Sequence, residues 1–401
     1  MTVDLEKVFA LPSVVNARKL IRKLDAQTVN DMMEIVRIPA PPFQESERGL
    51  WLADRLRTLG LADVATDEVG NVVARLPATI QAAESTPVIL SAHLDTIFPP
   101  ETEIVVRREG GRIAAPGIAD NARGLAALLT IARALMEANV ATAHPIVLVA
   151  TVGEEGVGDL RGVKHLMRPG SHYRGAAAFI TIDGTGLRRI VHRAIGSRRF
   201  AVRISGPGGH SWADFGLANP LHALGLAIGR LAELELSRHP RVALTVGRAG
   251  GGTSVNAIPC DAWMEIDLRS EAGSVLLETE DELRRIIKES VDQMNAQRRR
   301  GSPALRLEIR VIGDRPTGET PVNSAIVRMA RAATRMIDET PELVASSTDA
   351  NVPIALGIPA IAIGAGGESG GTHTESEWYV NDGGAAGLER ALLIAVGAAG
   401  A

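Results

Sequence analysis

The chain has 401 residues, 45% of them hydrophobic and 22% charged, and its formal net charge is -4. This balance gives no electrostatic reason to expect nucleic acid or an anionic membrane as a partner. The single cysteine, Cys260, excludes an intrachain disulfide and a cysteine-rich metal cluster. Neither a run of roughly twenty apolar residues nor the apolar core of a signal peptide is present in the sequence, so we expect a cytoplasmic protein.

The first part of the chain predicts helices that alternate with strands. Apolar spacing predicts helices over residues 14–39, 46–60 and 124–136. Short aliphatic or β-branched runs predict strands over residues 71–76, 87–92, 146–151 and 177–182. Such alternation favours an α/β fold in which helices cover both faces of a mixed, mostly parallel sheet.

The middle of the chain has a different pattern, in which polar and apolar residues alternate. It predicts strands over residues 198–205, 242–246, 263–269 and 304–311, with helices over 219–236 and 275–300. Two strand–helix–strand halves with one polar face indicate a compact α+β domain, residues 196–312, inserted in the first domain. The α/β pattern returns with helix 323–337, strand 360–364 and helix 384–397, so we expect a catalytic domain of residues 1–195 and 313–401.

Histidine and acidic residues occur in short motifs that follow predicted strands or, in the case of Asp120, precede a predicted helix. They are His93 and Asp95 in HLDT, Asp120 in GIADNARG, Glu154 and Glu155 in VGEEG, Asp183 in IDG and His373 in GGTH. Each motif alone has a structural explanation, such as an oriented histidine, a helix cap or a turn. Because ligands bind beyond the carboxyl ends of the strands of an open α/β sheet, the joint pattern favours a site for two divalent cations.

In combination and in order, these motifs resemble the family that contains aminoacylase, carboxypeptidase G, succinyl-diaminopimelate desuccinylase and the aminotripeptidases. The segments GPGGHSWADFGLANPLHAL, GGTSVNAIP and DLRS resemble the lid, or dimerisation, domain of that family. The likeness runs from residue 30 or so to the C-terminus. It implies a zinc-peptidase-like catalytic domain with an inserted α+β, ferredoxin-like lid domain, through which two chains form a homodimer.

The resemblance also implies which residues hold metal ions. Two divalent ions are expected, zinc first, with cobalt or manganese as alternatives that suit the same nitrogen and oxygen ligands. The implied ligands are His93 and Asp183 for one ion, Glu155 and His373 for the other, and Asp120 as the bridge between them. The peptide bond after Asp120 is implied to be cis.

Three further residues form the catalytic group that the resemblance implies. Glu154 is the expected general base. Asp95 is expected to hydrogen-bond the second imidazole nitrogen of His93 and so fix its tautomer. His210, in GPGGHS, is expected to stabilise the oxyanion from another subunit, and a histidine that only shapes a glycine-rich turn is the alternative.

Substrate contacts are expected in two places. Asn256 and Arg269 are the implied contacts of the lid domain, and Gly370 and Gly371 could offer backbone amides to a carboxylate. The alternatives are a strand-end ion pair for Arg269 and a hinge loop for the glycines. The segment SSTDANVP contains Asp349 and Asn351, to which the sequence assigns no role.

The residues predict hydrolysis by a metal-activated water, and the resemblance implies that the bond is an amide or peptide bond in a small peptide or N-acyl amino acid. Hydrolysis of another C–N bond, even that of an arylamine, and a non-catalytic metal-binding homologue are the alternatives. The segment GESGG, residues 367–371, also matches the G-x-S-x-G pattern of serine hydrolases. However, its sequence context predicts no long helix after it, and His373 is the one histidine close to it in sequence.

Overall fold

The computed structural model describes residues 5–80 and 86–401. The described residues form two compact units. One unit combines the chain up to Ala194 with Glu319–Ala401, and the other is the inserted segment Ile195–Gly318. The chain therefore leaves the first unit once and returns to it.

Helices and strands alternate in the part of the first unit that precedes the insertion. The helices are α1 (Leu5–Ala10), α2 (Pro12–Lys23), α3 (Asp25–Val36), α4 (Ser46–Thr58), α5 (Arg123–Glu137) and α6 (Arg161–Leu166). The strands are β1 (Ala62–Thr66), β2 (Val72–Leu76), β3 (Val88–His93), β4 (Arg107–Glu109), β5 (Arg112–Ala114), β6 (Ile146–Thr151), β7 (Ala178–Ile182) and β8 (Arg189–Ala194).

The inserted unit and the return to the first unit complete the chain. The inserted segment contains β9 (Gly196–Ser205), β10 (Gly209–His210), α7 (Pro220–Ala232), β11 (Val242–Gly251), β12 (Ala257–Ile258), β13 (Asp261–Ser270), α8 (Gly273–Gln297) and β14 (Arg306–Arg315). After it come β15 (Gly318–Glu319), α9 (Ala325–Arg335), β16 (Glu342–Ser346), α10 (Asn351–Ala355), β17 (Ala360–Ile363), β18 (Glu368–Gly370), β19 (Trp378–Val380) and α11 (Gly384–Ala399).

The central sheet of the first unit has the strand order β1-β2-β6-β3-β7-β17-β8-β15, and β16 also pairs with β8. The central neighbours β6, β3, β7 and β17 are parallel to one another. Antiparallel pairs occur towards the edges, between β1 and β2, β2 and β6, and β17 and β8. The prediction of a mixed, mostly parallel sheet is therefore confirmed, and the carboxyl ends of the four central strands lie at one edge.

Side chains of the central strands alternate between two hydrophobic cores, one on each face of the sheet. Leu90 of β3 belongs to the core that contains the apolar residues of α5 and α11. Its neighbour Ile89 belongs to the other core, which contains residues of α6 and α10. Both faces are thus covered by helices, as predicted, because strands that are apolar on both sides must be covered on both sides.

The inserted unit is a four-stranded antiparallel sheet in the order β11-β13-β9-β14. Helices α7 and α8 supply the rest of its core. The element order β9-α7-β11-β13-α8-β14 is the ferredoxin-like arrangement that was predicted. The unit extends to Gly318, past the predicted boundary at residue 312, because β14 continues to Arg315.

Several elements differ from the prediction. The single helix predicted over residues 14–39 is two helices, α2 and α3, that meet at Leu24. Strands β1, β8 and β16 were not predicted. The side chains of β16 are only partly buried, and those of β8 are buried at three consecutive positions, Ile190–His192, so neither sequence has the clear alternation of a half-buried strand.

A small antiparallel sheet in the order β18-β19-β5-β4 also belongs to the first unit. Its strands β18 and β19 are joined by the loop that carries His373 and Glu377. This loop is therefore held at both ends by strand pairing. Among the described helices, none combines the length and the apolar character that crossing a membrane requires.

Candidate metal centre

The predicted ligands lie at the carboxyl ends of neighbouring strands. His93 is the last residue of β3, Glu154 and Glu155 follow β6, and Asp183 follows β7 directly. Because β3 pairs in parallel with both β6 and β7, these ends share one edge of the sheet. The strands themselves are fully buried, so the polar side chains just beyond them are the groups that can meet a ligand.

One group of ligands forms around His93. Its Nε2 atom lies 2.9 Å from Oδ1 of Asp120 and 3.8 Å from Oδ1 of Asp183. A second group forms around His373, whose Nε2 atom lies 2.9 Å from Oε1 of Glu155 and 3.2 Å from Oδ2 of Asp120. The two carboxylate oxygens of Asp120 thus face two different histidines, which is the geometry of a bridging ligand.

This set of side chains fits a pair of divalent cations. Each ligand atom of one group lies within 4.8 Å of the others, and the groups are His93–Asp120–Asp183, Asp120–Glu155–His373 and His93–Glu154–Glu155. The donors are imidazole nitrogens and carboxylate oxygens, which suit zinc, cobalt and manganese. Carboxylates brought this close repel one another unless positive charge lies between them.

The charge states of the two histidines reflect the same arrangement. Burial alone would lower the pKa of His93, but Asp120, Asp183 and Asp95 raise it well above 6.5. Asp120 and Glu155 raise the pKa of His373 to about 10. Because an imidazole must be deprotonated to bind a metal, cation binding at either histidine requires loss of this proton.

Asp120 is presented by the turn Ile118–Ala122, which leads into α5. The peptide bond between Asp120 and Asn121 is cis, the conformation that the family resemblance implies. Asn121 then joins the turn to β7, because its Nδ2 donates to the carbonyl oxygen of Ile182 at 2.8 Å and its Oδ1 accepts from Gly124 N at 3.1 Å. Asn121 therefore fixes Asp120 relative to the strand that ends at Asp183.

Glu377 was not singled out from the sequence, although it is a main support of the site. Its buried carboxylate accepts hydrogen bonds from the backbone N–H groups of Gly117, Ala119 and Asp120 at 3.2, 2.8 and 3.0 Å. Burial raises the pKa of Glu377 to about 7, while these amides act in the opposite direction. A glutamate four residues after the GGTH histidine was the sequence signal that could have pointed to it.

Asp95 differs from its predicted contact. The Nδ1 atom of His93 lies 3.0 Å from the backbone carbonyl oxygen of Asp95, whereas the nearer carboxylate oxygen is 3.7 Å away. The carboxylate accepts instead from the backbone N–H groups of Glu154 and Glu155, at 2.9 and 2.7 Å. Asp95 therefore fixes the tautomer of His93 through its main chain, because its side chain is engaged in holding the Glu154–Glu155 segment.

Glu154 is placed beside the ligands. Its side chain is buried, and one carboxylate oxygen lies within 4.8 Å of ligand atoms of His93 and Glu155. The bonds of Asp95 to two successive amides fix the backbone on which Glu154 and Glu155 stand. A carboxylate in this position can accept a proton from a molecule bound between the ligands.

The remaining predicted residues of the inserted unit lie on its surface. His210, in β10, accepts hydrogen bonds at Nδ1 from the backbone N–H groups of Trp212 and Ala213, at 3.1 and 3.3 Å. Its proton is therefore on Nε2, which is a hydrogen-bond donor on an exposed side chain. Ser211 N donates to the carbonyl oxygen of Asn256 at 3.0 Å, so His210 and Asn256 belong to one local surface.

Arg269 and the two glycines have local contacts that involve no substrate, and only the contact of Arg269 matches the alternative given for it. Nε of Arg269 donates to Asp267 at 2.6 Å, the strand-end ion pair. A Cβ atom on Gly370 would lie 2.7 Å from the ring of Trp378, and Gly371 has a φ of 68° that favours glycine. These contacts account for the residue types without a substrate, so substrate binding by them remains a proposal.

The serine-hydrolase pattern has no matching geometry. Ser369 lies within β18, and its hydroxyl contacts the hydroxyl of Thr185 at 2.7 Å. In that fold the serine stands on a sharp strand-to-helix turn beside a histidine. The GESGG segment therefore serves the small sheet.

A helix-covered mixed sheet, an inserted ferredoxin-like unit and a bridged cluster of imidazoles and carboxylates at the strand ends are the features of metal-dependent peptidases with a lid domain. A family model described as peptidase family M20/M25/M40 matches residues 89–395, and the chain belongs to this family.

Individual relatives agree with this assignment. The chain is 28% identical over 289 residues to the cytosol non-specific dipeptidase of Escherichia coli, a match that covers 64% of this chain and 56% of that protein. It is 25% identical to the aminopeptidase PepT of Bacillus cereus, with a TM-score of 0.73 and coverage of 94% of this chain and 99% of PepT. A tripeptidase of Staphylococcus aureus shares the fold at 22% identity, with a TM-score of 0.77 and coverage of 93% and 98%.

Proposed function

We propose that the chain is a two-metal hydrolase that cleaves the peptide or amide bond of small peptides or N-acyl amino acids. The observation that carries this proposal is the carboxylate of Asp120, whose two oxygens lie 2.9 Å from His93 and 3.2 Å from His373. Each histidine has a second acidic neighbour, Asp183 or Glu155. A bridged pair of this kind suits chemistry that needs two cations close together.

The proposed ligands of the two ions follow from these distances. His93 and Asp183 hold one ion, Glu155 and His373 hold the other, and Asp120 holds both. Zinc is the proposed metal, with cobalt or manganese as alternatives for the same donors. When bound, the two ions would polarise the scissile carbonyl group and lower the pKa of the attacking water.

Glu154 is the proposed general base. It takes the proton of the attacking water and returns it to the departing amine, without which the C–N bond does not break. Its buried position beside the ligands supports this role. Asp95 keeps Glu154 in place through the backbone bond at 2.9 Å.

His210 is the proposed donor to the oxyanion, supplied by the second chain of a homodimer that forms through the inserted unit. Two observations support this role: the side chain is exposed, and its tautomer places the proton on Nε2. Asn256, Arg269, Gly370 and Gly371 are the proposed substrate contacts.

Small peptides are the proposed substrates because the relatives are described as a dipeptidase, an aminopeptidase and a tripeptidase. A cytoplasmic location is proposed because the chain has one cysteine and the Escherichia coli relative is described as cytosolic. The test is a panel of dipeptides, tripeptides, N-acyl amino acids and arylamines, assayed with the protein reconstituted with zinc, cobalt or manganese.

We expect turnover of at least one di- or tripeptide or N-acyl amino acid that a chelator abolishes and metal restores. Turnover of arylamines alone would contradict the substrate class. Activity that survives complete removal of metal would contradict the mechanism. The variant Asp54→Ala, an exposed change in α4, serves as the handling control and should behave like the unmodified chain.

A further inference from the structure

Asp349 is a buried acid that the proposed reaction does not use. It lies between β16 and α10 and is 1% exposed. The turn that carries it is closed by hydrogen bonds from Thr348 N to Asn351 Oδ1 at 2.9 Å and from Ala350 N to Thr348 Oγ1 at 3.1 Å. Its side chain is therefore held in one place rather than free to reach water.

The contact of Asp349 is Thr151, the last residue of β6. Oδ2 of Asp349 lies 2.5 Å from Oγ1 of Thr151, and that hydroxyl also lies 3.3 Å from the carbonyl oxygen of Ala92. Thr151 is the cross-strand partner of His93 in the β3–β6 pair, and its own carbonyl oxygen accepts from Leu94 N at 2.7 Å. Thr151 thus holds the main chain on both sides of His93.

A hydroxyl group has one hydrogen, yet Thr151 Oγ1 touches two acceptors. Both contacts are hydrogen bonds if Asp349 carries a proton, because the acid then donates to Thr151 and Thr151 donates to Ala92. The other oxygen of Asp349, Oδ1, is buried and has no hydrogen-bond partner among the described residues. Leaving a neutral carbonyl oxygen unpaired costs far less than leaving an ionised oxygen unpaired.

We propose that Asp349 is a neutral carboxylic acid whose proton is donated to Thr151, and that it acts as a positioning residue for His93. The charged groups that face it are Asp95 and Asp183, which oppose its ionisation, and His93, which favours it. Burial is the main cause that raises the pKa of Asp349 to about 7, and Asp95 and Asp183 act in the same direction, whereas the contact with Thr151 and the charge of His93 act against it. The inference goes beyond the proposed function, and only its metal-affinity test rests on the proposed metal centre.

The sign of the pH dependence follows from the proton balance. The unfolded chain releases the proton of Asp349 near its ordinary pKa of 3.8, whereas the folded chain keeps it up to about 7. Stability from this group therefore falls as the pH rises between these values and is constant above them. Asp349→Asn removes the titration but keeps the shape and supplies an N–H donor for Thr151.

The experiment compares metal-free chains carrying D349N, T151V or T334V. Thr334 is buried, and its hydroxyl donates within its own helix, to the carbonyl oxygen of Ala330 at 2.7 Å. T334V therefore measures how much the replacement of a buried threonine by valine changes stability when Asp349 is not involved. Thermal unfolding is measured from acidic to mildly alkaline pH. Relative to D349N, the unmodified chain should lose stability as the pH rises between the two pKa values.

The affinity for zinc is then measured by calorimetric titration of the same proteins. T151V should weaken binding by about tenfold, whereas D349N and T334V should stay within about twofold of the unmodified chain. The proposal would be overturned if the stability of D349N and that of the unmodified chain changed in parallel with pH. It would also be overturned if the D349N chain did not fold. A loss of zinc affinity in D349N as large as in T151V would show that an ionised carboxylate is needed. Hydrolysis of peptides is not measured, so failure of the proposed function leaves the pH comparison of the metal-free chains unaffected.

Discussion

Asp120 presents its two carboxylate oxygens to two different histidines, whereas Asp183 faces one of them. This difference predicts unequal losses when ligands are replaced one at a time. Asp120→Ala should lose both metal ions, and Asp183→Ala should keep about one ion per chain, since the second group retains all its members. Elemental analysis after gel filtration measures the ratio. An Asp120→Ala chain that keeps two ions would show that Asp120 is not the bridge.

Glu377 holds the turn that presents Asp120 through three backbone amides. Glu377→Ala leaves these buried N–H groups without an acceptor, which costs roughly 1–3 kcal/mol for each group that finds no water. We expect a lower unfolding midpoint and zinc affinity reduced by about 10–100-fold, measured by calorimetric titration. Glu375→Ala, two residues earlier and exposed, is the matched control. Equal affinities in the two variants would contradict this role.

At the residue scale, the sequence predicts which residues form the site better than it predicts which atoms they contact. The order of the motifs was enough to gather His93, Asp120, Glu155 and His373 into one cluster. The hydrogen bond from His93 to the backbone of Asp95 was not predictable, because any residue at that position has a carbonyl oxygen. Glu377 was missed for a similar reason, since its partners are backbone amides that no motif records.

Among the structural elements, the start of α5 depends on a close approach at Gly124. A Cβ atom there would lie 2.3 Å from Oδ1 of Asn121, which joins the Asp120 turn to β7. Gly124→Ala should therefore destabilise the chain by about 1–3 kcal/mol and weaken metal binding. Gly225→Ala in α7 is the matched control, because its Cβ atom meets open space. It should stabilise its helix by up to about 1 kcal/mol.

Chemical denaturation measures both changes in the free energy of unfolding. A Gly124→Ala chain as stable as the unmodified one would show that Asn121 can move without cost. The control separates this local effect from the general preference of helices for alanine over glycine.

The break between α2 and α3 shows why element boundaries were harder to predict than elements. Neither glycine nor proline interrupts the chain near Leu24, and the apolar spacing continues. Arg22, Lys23 and Asp25 are the weaker helix-end signals that the sequence offers there. Asp25, which begins α3, accepts a hydrogen bond from Asn381 at 2.7 Å across a sequence separation of 356 residues. The boundary is thus fixed by a distant part of the fold.

At the scale of the whole molecule, the layer architecture was predictable because it depends on pattern alone. Continuous aliphatic runs such as β3 and β6 require cover on both faces, and the alternating strands of the insertion require it on one. Strand order was not predictable from pattern, since β17 enters the sheet between β7 and β8 from the far end of the chain. Pairing over such distances leaves no local signal.

The proposal that His210 is contributed by the second chain of a dimer can be tested with dimers made of two different variants. In a heterodimer of H210A and E154Q chains, one site has both defects and the other has none, provided that His210 acts across the dimer. Mixing the two inactive chains in equal amounts, with exchange of subunits, should then restore about one quarter of the normal turnover. No recovery, with exchange shown by mass spectrometry, would place His210 and Glu154 in the same chain's site.

The central claim is that two adjacent residues have separate roles, in which Glu155 binds metal and Glu154 transfers the proton. The most direct measurement is the metal content and the turnover of Glu154→Gln, taken on one preparation. The account predicts two ions per chain, as in the unmodified protein, with kcat lower by about 100- to 10,000-fold. Near-normal turnover at full metal content would contradict it, and so would loss of metal in step with activity.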